Sequence, residues 1–248
     1  MIKIKQKIRF YSKEIMVLLL IFAYMIARAI IYAKYPVESE SDWAQRDLIM
    51  NFPRTGGVIA VLFLLKQKFR FVSLNSLLNI DAKMIFAMFL VLILPTFTPL
   101  FVGTYIVPTS LLLTLTISSL FVAVFEEVLF RWGLYDLLTE KLGWIHAMVI
   151  SSFVFSVFHL QAQPLHALPS LFIYGVIFCL LRLNGVSLFW LILLHFVFDS
   201  AVFLFIPTEE VPSAWLAFEL VYLSGLSLGI YKMTDKRRLH LSRESFEK

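Results

Sequence analysis

The chain has 248 residues, of which 60% are hydrophobic and only 16% charged, with a net charge of +5. A soluble domain holds roughly 45–50% apolar and 25% charged residues, so this composition excludes one and indicates a polytopic α-helical membrane protein. The single cysteine, Cys179, excludes an intramolecular disulfide and any multi-cysteine metal site, and the positive charge does not point to nucleic acid, because the lysines and arginines cluster at the ends of apolar runs.

A span length of ~20 residues predicts eight transmembrane helices, at about 15–33, 48–65, 83–101, 110–134, 144–160, 165–182, 187–206 and 213–231. The first follows a basic stretch, "MIKIKQKIRFYSKE", which resembles the start of a signal peptide. Its apolar run of about 18 residues, without a small-residue cleavage pattern and with further spans downstream, reads instead as an uncleaved helix. Pro53 and Arg54 fall inside the second window, and the prolines at 36, 95, 99, 108, 164, 207 and 212 fall at or near the expected connections. "GLSLG" at 225–229 fits a close helix-packing motif. No repeat divides the chain, which reads as one integral membrane domain over 1–248.

Lys3, Lys5, Lys7, Arg9 and Lys13 precede the first span, Lys66, Lys68, Arg70 and Lys83 lie between the second and third, and Lys232, Lys236, Arg237, Arg238 and Arg243 follow the eighth. These segments are expected on the cytoplasmic side, with both termini, in a plasma membrane of bacterial type. The alternate connections agree: 102–109 and 161–168 carry no lysine or arginine, and 207–212 carries only Glu209 and Glu210. The first outer loop, "KYPVESESDWAQRDLIMNFPR", is mixed in charge.

A charge at the centre of a span costs ~2.5–3.5 kcal/mol on insertion scales, so Arg28, Glu126, Glu127, Arg131, His159, His195, Asp199 and Glu219 are functional candidates by default. Arg28 and Glu219, near a helix end or without a partner in sequence, read as snorkelling or packing side chains. His146, His166 and His240 lie near loops or in the tail and receive no chemistry. On an α-helix Glu127 and Arg131, four apart, share a face, whereas Glu126 is rotated by ~100°. Glu127 therefore reads as the structural partner of Arg131, and Glu126 as the carboxylate free for chemistry. His159 ends the aromatic stretch "FVFSVFHL", and "LLHFVFDS" places His195 and Asp199 at i and i+4. From a turn near Lys141 to Gly143, Glu126 and His159 are each ~16 residues away, at similar depth in an antiparallel pair. His195, only ~10 residues from Asn184 and Gly185, would lie ~9 Å shallower unless the hairpin projects and part of "RWGLYDLLTEKLG" is interfacial.

"EEVLFR", "FSVFH" and "HFVFD", in this order and over roughly 110–205, resemble the pattern of the CPBP or Abi family of intramembrane endopeptidases, which includes the type II CAAX prenyl endopeptidases. The resemblance implies an all-helical core of about eight spans and a peptide hydrolase. Carried over by position, it implies that Glu126 and His159 activate a water for attack on a peptide carbonyl, while His195 and residue 199 stabilise the oxyanion. Burial independently suits a carboxylate to general acid–base work beside an imidazole. Many members have asparagine where this chain has Asp199, and an ionised aspartate cannot donate to an oxyanion. Asp199 is either protonated, or orients His195, or binds a metal.

The expected partners are a peptide or membrane-protein substrate and the lipid bilayer. The family's breadth leaves peptide maturation and bacteriocin immunity both open. No cofactor is expected: the side chains Glu126, His159, His195 and Asp199 are of zinc-ligating types, but no helix carries His-Glu-x-x-His, and a glutamate-activated water needs no ion. The alternatives from other classes are a non-enzymatic immunity or scaffold protein on the same fold and a proton-coupled transporter using the same groups as a relay.

Overall fold

The computed structural model describes residues 12–37, 39–65, 80–98, 104–207 and 212–234. Within them lie α1 (Ser12–Lys34), α2 (Glu40–Leu64), α3 (Ala82–Phe97), α4 (Thr109–Glu126), α5 (Leu137–Phe158), α6 (Leu168–Leu183), α7 (Leu188–Leu204) and α8 (Ser213–Met233), with a π-helix, Glu127–Asp136, joining α4 to α5. A helix underlies each of the eight expected spans. Outside them, β1 (Thr104–Ile106) and β2 (Phe205–Pro207) pair antiparallel, Thr104 opposite Pro207 and Ile106 opposite Phe205. Most of the basic residues used for orientation (Lys13, Lys83 and Lys232 excepted), together with Glu209, Glu210, His240 and the end of the third expected span, lie outside the described residues.

Among the described residues, five stretches suffice by length and composition to cross a membrane: Ser12–Lys34, Ser41–Leu64, Leu111–Gln161, Leu165–Leu183 and Ser213–Met233. The third runs through the π-helix and contains two of the expected spans, while α3 and α7 are shorter apolar helices. Large apolar side chains, among them Phe22, Phe52, Phe63, Leu113, Phe153 and Val221, stand exposed on the outer faces. Water would not tolerate so many uncovered apolar faces, and lipid covers them without penalty. This is a multi-pass membrane protein.

One local reading of the sequence needs correction. The polar segment before residue 48, expected as loop, is helical from Glu40, because Ser39 caps the helix by accepting from the Asp42 amide and Asp47 pairs with Arg54 at 2.8 Å two turns on. Pro95, expected at or near a connection, sits in the last turn of α3. There the Thr96 hydroxyl donates to the Leu92 and Ile93 carbonyls at 3.1 and 2.8 Å, and that of Thr98 to the Leu94 carbonyl at 2.8 Å.

Gly143 (φ 77°) and Gly185 (φ 85°) are the only positive-φ residues among those described, and they stand at the two expected turns. Gly143 interrupts α5, so the π-helix and the long part of α5 fold back on each other: Ser151 donates to the Phe130 carbonyl at 2.9 Å, and Arg131 lies 4.4 Å over the Phe155 ring. Asp136 pairs with Arg182 at 2.6 Å, level with the end of α6. Residues 137–142 therefore reach past the α6–α7 turn, which removes the depth mismatch expected for His195. Lys141, on this projecting part, pairs with Glu14 of α1 at 2.8 Å.

Two apolar clusters fill the bundle. Val17, Val61, Phe125, Phe130 and Phe158 centre one on α1, α2, the end of α4, the π-helix and α5. Met84, Ile177, Leu191 and Leu223 centre the other on α3, α6, α7 and α8. Arg131 packs between them, against Phe155 of the first and Phe178 of the second.

Candidate active site

Glu127 and Arg131 contact each other on a π-helix, not on the α-helix their spacing implied. The wider i→i+5 winding is a frequent mark of functional segments. Gly133 fits it: a Cβ there would stand 3.0 Å from the Val128 carbonyl, five residues earlier, and 3.4 Å from Val61. Arg131 Nη1 lies 3.2 Å from Glu127 Oε1, with both side chains fully buried. The contact is a close ion pair without hydrogen-bond alignment, since Arg131 Nε and Nη1 find no hydrogen-bond partner among the described residues. The guanidinium is held instead between aromatic faces, 4.4 Å from the Phe155 ring centroid and 4.9 Å from that of Phe178.

Glu127 has a second partner that helix spacing could not reveal. His195 Nδ1 lies 2.8 Å from Glu127 Oε1. A carboxylate can only accept, so the imidazole donates Nδ1–H, and its Nε2 is left facing the interior. A carboxylate behind an imidazole fixes its orientation. The two residues are 68 apart in sequence, and only the fold joins them.

Around that nitrogen the other sequence candidates converge from three helical segments. His195 Nε2 is 3.8 Å from Glu126 Oε2 and 3.5 Å from Asp199 Oδ2, one turn further along α7. His159 Nε2 is 3.6 Å from Glu126 Oε1. His159 Nδ1 donates to the Phe155 carbonyl at 2.8 Å, so its Nε2 also points at Glu126. Glu126 Oε2 is buried and has no hydrogen-bond partner among the described residues. The separations exceed a direct hydrogen bond and suit one small molecule bridging the groups.

These groups border a cavity of about 500 Å³. Its other wall comes from the first two helices, where the sequence carried no readable motif: Tyr24, Arg28 and Tyr32 from α1, and Trp43, Arg46, Asp47 and Arg54 from α2. Arg28 does not snorkel: it is buried, bonded to the Tyr32 hydroxyl and packed on Phe158. Arg46 was hidden in an expected loop. Glu219, on α8, does not reach the cavity wall. Among the described residues, no group of three His, Cys, Asp or Glu side chains has the arrangement of a metal-ligand set.

Residues 108–201 match the family described as type II CAAX prenyl endopeptidase Rce1-like. The matched stretch runs from the start of α4 into α7, holds all three motifs, and agrees with the resemblance to the CPBP endopeptidases. No curated protein matches the chain. The chain is a multi-pass membrane protein that carries a stretch similar to the type II CAAX prenyl endopeptidases over 108–201.

Breaking a buried ion pair by removing one partner costs about 3–5 kcal/mol. Glu127→Gln, which strands Arg131, should therefore lower the midpoint of thermal unfolding in detergent well below that of Glu126→Gln. Equal midpoints for the two variants would contradict the assignment of Arg131 to Glu127.

Proposed function

We propose that the protein is an intramembrane endopeptidase in which Glu126 activates the attacking water. The observation that carries this reading is the convergence on Glu126: two imidazole Nε2 atoms within 4 Å, from different helices, around a buried carboxylate with no hydrogen-bond partner of its own among the described residues. Water held between Glu126 and His159 gives a proton to the Glu126 carboxylate as its oxygen attacks the peptide carbonyl. A doubly protonated His195 donates Nδ1–H to Glu127 and Nε2–H toward the forming oxyanion, with Asp199 steadying the ring. Glu126 then passes its proton to the departing amide nitrogen, and the carbonyl reforms as a carboxylic acid. Peptide carboxylate and amine leave, and no group is consumed.

This chemistry needs no ion, and the proposal is for a metal-independent enzyme, with zinc as the competing possibility. Purified protein dialysed against chelator should cleave a peptide at the undialysed rate, with metal content measured alongside, and Glu126→Gln should lose cleavage by at least about 10³-fold while remaining folded. Activity that vanishes with the metal and returns with stoichiometric zinc would make Glu126 the base on a zinc-bound water and Asp199 a ligand.

The eight helices alternate in direction, and the proposal takes all of them as spans of a plasma membrane with both termini cytoplasmic. The ends carrying Lys13, Lys83 and Lys232 then face the cytoplasm. The cavity lies towards the opposite end, near the α5–α6 connection and the start of α2, so the substrate is a peptide or membrane protein reached from outside. Cys179 is buried and is the only native thiol. A membrane-impermeant maleimide should label Gln163→Cys in intact cells, and Lys232→Cys only after permeabilisation. The reverse pattern would invert the topology.

A further inference from the structure

The cavity has a second charged end that the proposed hydrolysis does not use. Arg28 is only 8% exposed and lines the cavity, yet among the described residues it makes one hydrogen bond, to the Tyr32 hydroxyl at 3.0 Å. Its guanidinium packs 5.0 Å from the Tyr32 ring centroid and 5.9 Å from that of Phe158. Arg46, one helix on, lies 4.0 Å from the same Tyr32 centroid and lines the cavity as well. Neither arginine pairs with a carboxylate among the described residues.

The carboxylates on the cavity wall are already engaged. Asp47 is held by Arg54 at 2.8 Å, a guanidinium that also donates to Asn51 at 2.8 Å. Glu126 and Asp199 belong to the reacting end. The wall thus carries two guanidinium groups that share one tyrosine ring and have no carboxylate partner among the described residues, the deeper of them buried in a membrane protein, where a charge is costly and is a functional candidate by default. Guanidinium's planar fork of donors matches a carboxylate, which it binds in a bidentate manner.

We infer that Arg28 and Arg46 seat a carboxylate of the peptide substrate. This rests on the proposed hydrolysis and names what the enzyme selects. Phe158 touches both ends, its ring 5.5 Å from that of His159, so the recognised carboxylate lies within a few residues of the cleaved bond. The basic end sets the register of the peptide, and the other end cuts it.

The test uses paired fluorogenic peptides that differ only in Glu against Gln and in a free against an amidated carboxyl terminus, presented to the purified protein in neutral detergent. kcat/KM should be about tenfold higher for the acidic members, mainly through KM. That ratio should fall toward one in Arg28→Gln and in the partly exposed Arg46→Gln, and be partly retained in Arg28→Lys. Binding of the same pairs to Glu126→Gln, read by fluorescence anisotropy, separates the two claims. Cleavage with no acidic preference in either assay overturns the inference and leaves the hydrolysis standing. Acid-selective binding that Arg28→Gln abolishes, with no cleavage by the intact protein, upholds the carboxylate seat and removes the hydrolysis. If phosphatidylglycerol vesicles erase the preference at concentrations where phosphatidylcholine vesicles do not, the arginines serve lipid phosphate and the inference falls.

Discussion

An apolar bundle cannot hold a lone charge at low cost, and the pair Glu127–Arg131 is where this one meets that constraint most severely. Both side chains are withdrawn from solvent, at 3.2 Å from each other, so removing either would leave the other without its ion-pair partner in the interior. The pair does more than neutralise itself. The oxygen of Glu127 that meets Arg131 is also the one that receives His195 Nδ1–H, and the Arg131 guanidinium presses on Phe155 and Phe178 from the two helices that carry the neighbouring walls. One buried ion pair thereby fixes an imidazole, two aromatic rings and the junction of the two apolar clusters. Glu126, its neighbour in sequence, faces two imidazoles within 4 Å and has an oxygen without a hydrogen-bond partner among the described residues.

The helices were legible in the sequence wherever hydrocarbon dictates their length, and less so where side-chain capping decides. A run of about 20 apolar residues has few alternatives in a bilayer. The first turns of α2 are polar, and they form because of Ser39 and the Asp47–Arg54 pair, which no hydropathy pattern reports. The π-helix was equally invisible: a spacing of four lets Glu127 reach Arg131 in either winding, so the pairing could be read while the winding could not. The two glycines at the turns were readable because only a residue without Cβ adopts positive φ cheaply.

The site divides along the same line. Glu126, His159, His195 and Asp199 announced themselves as ionisable groups in spans, and the fold brings them within 4 Å contacts of one another. What they do with each other depends on contacts across the bundle, above all Glu127 to His195, and these are set by packing rather than by local spacing. The basic wall was harder still. Arg28 was visible as an in-span charge, but its burial against Phe158 depends on how α1 meets α5. Arg46 became a wall residue only because a polar segment turned out to be helix. The cavity consequently has a glutamate–histidine end within the Rce1-like stretch and a basic end outside it, and the division explains why the three motifs left the basic wall unread.

The central claim is that Glu126 makes this membrane protein a protease. It is tested most directly by comparing, by mass spectrometry, the membrane-bound and secreted peptides of cells carrying the intact protein with those of cells carrying Glu126→Ala at equal abundance. The account predicts cleavage products, with their uncut precursors depleted, in the first set and the precursors intact in the second. Identical peptide sets, with both proteins folded in the membrane, would contradict it.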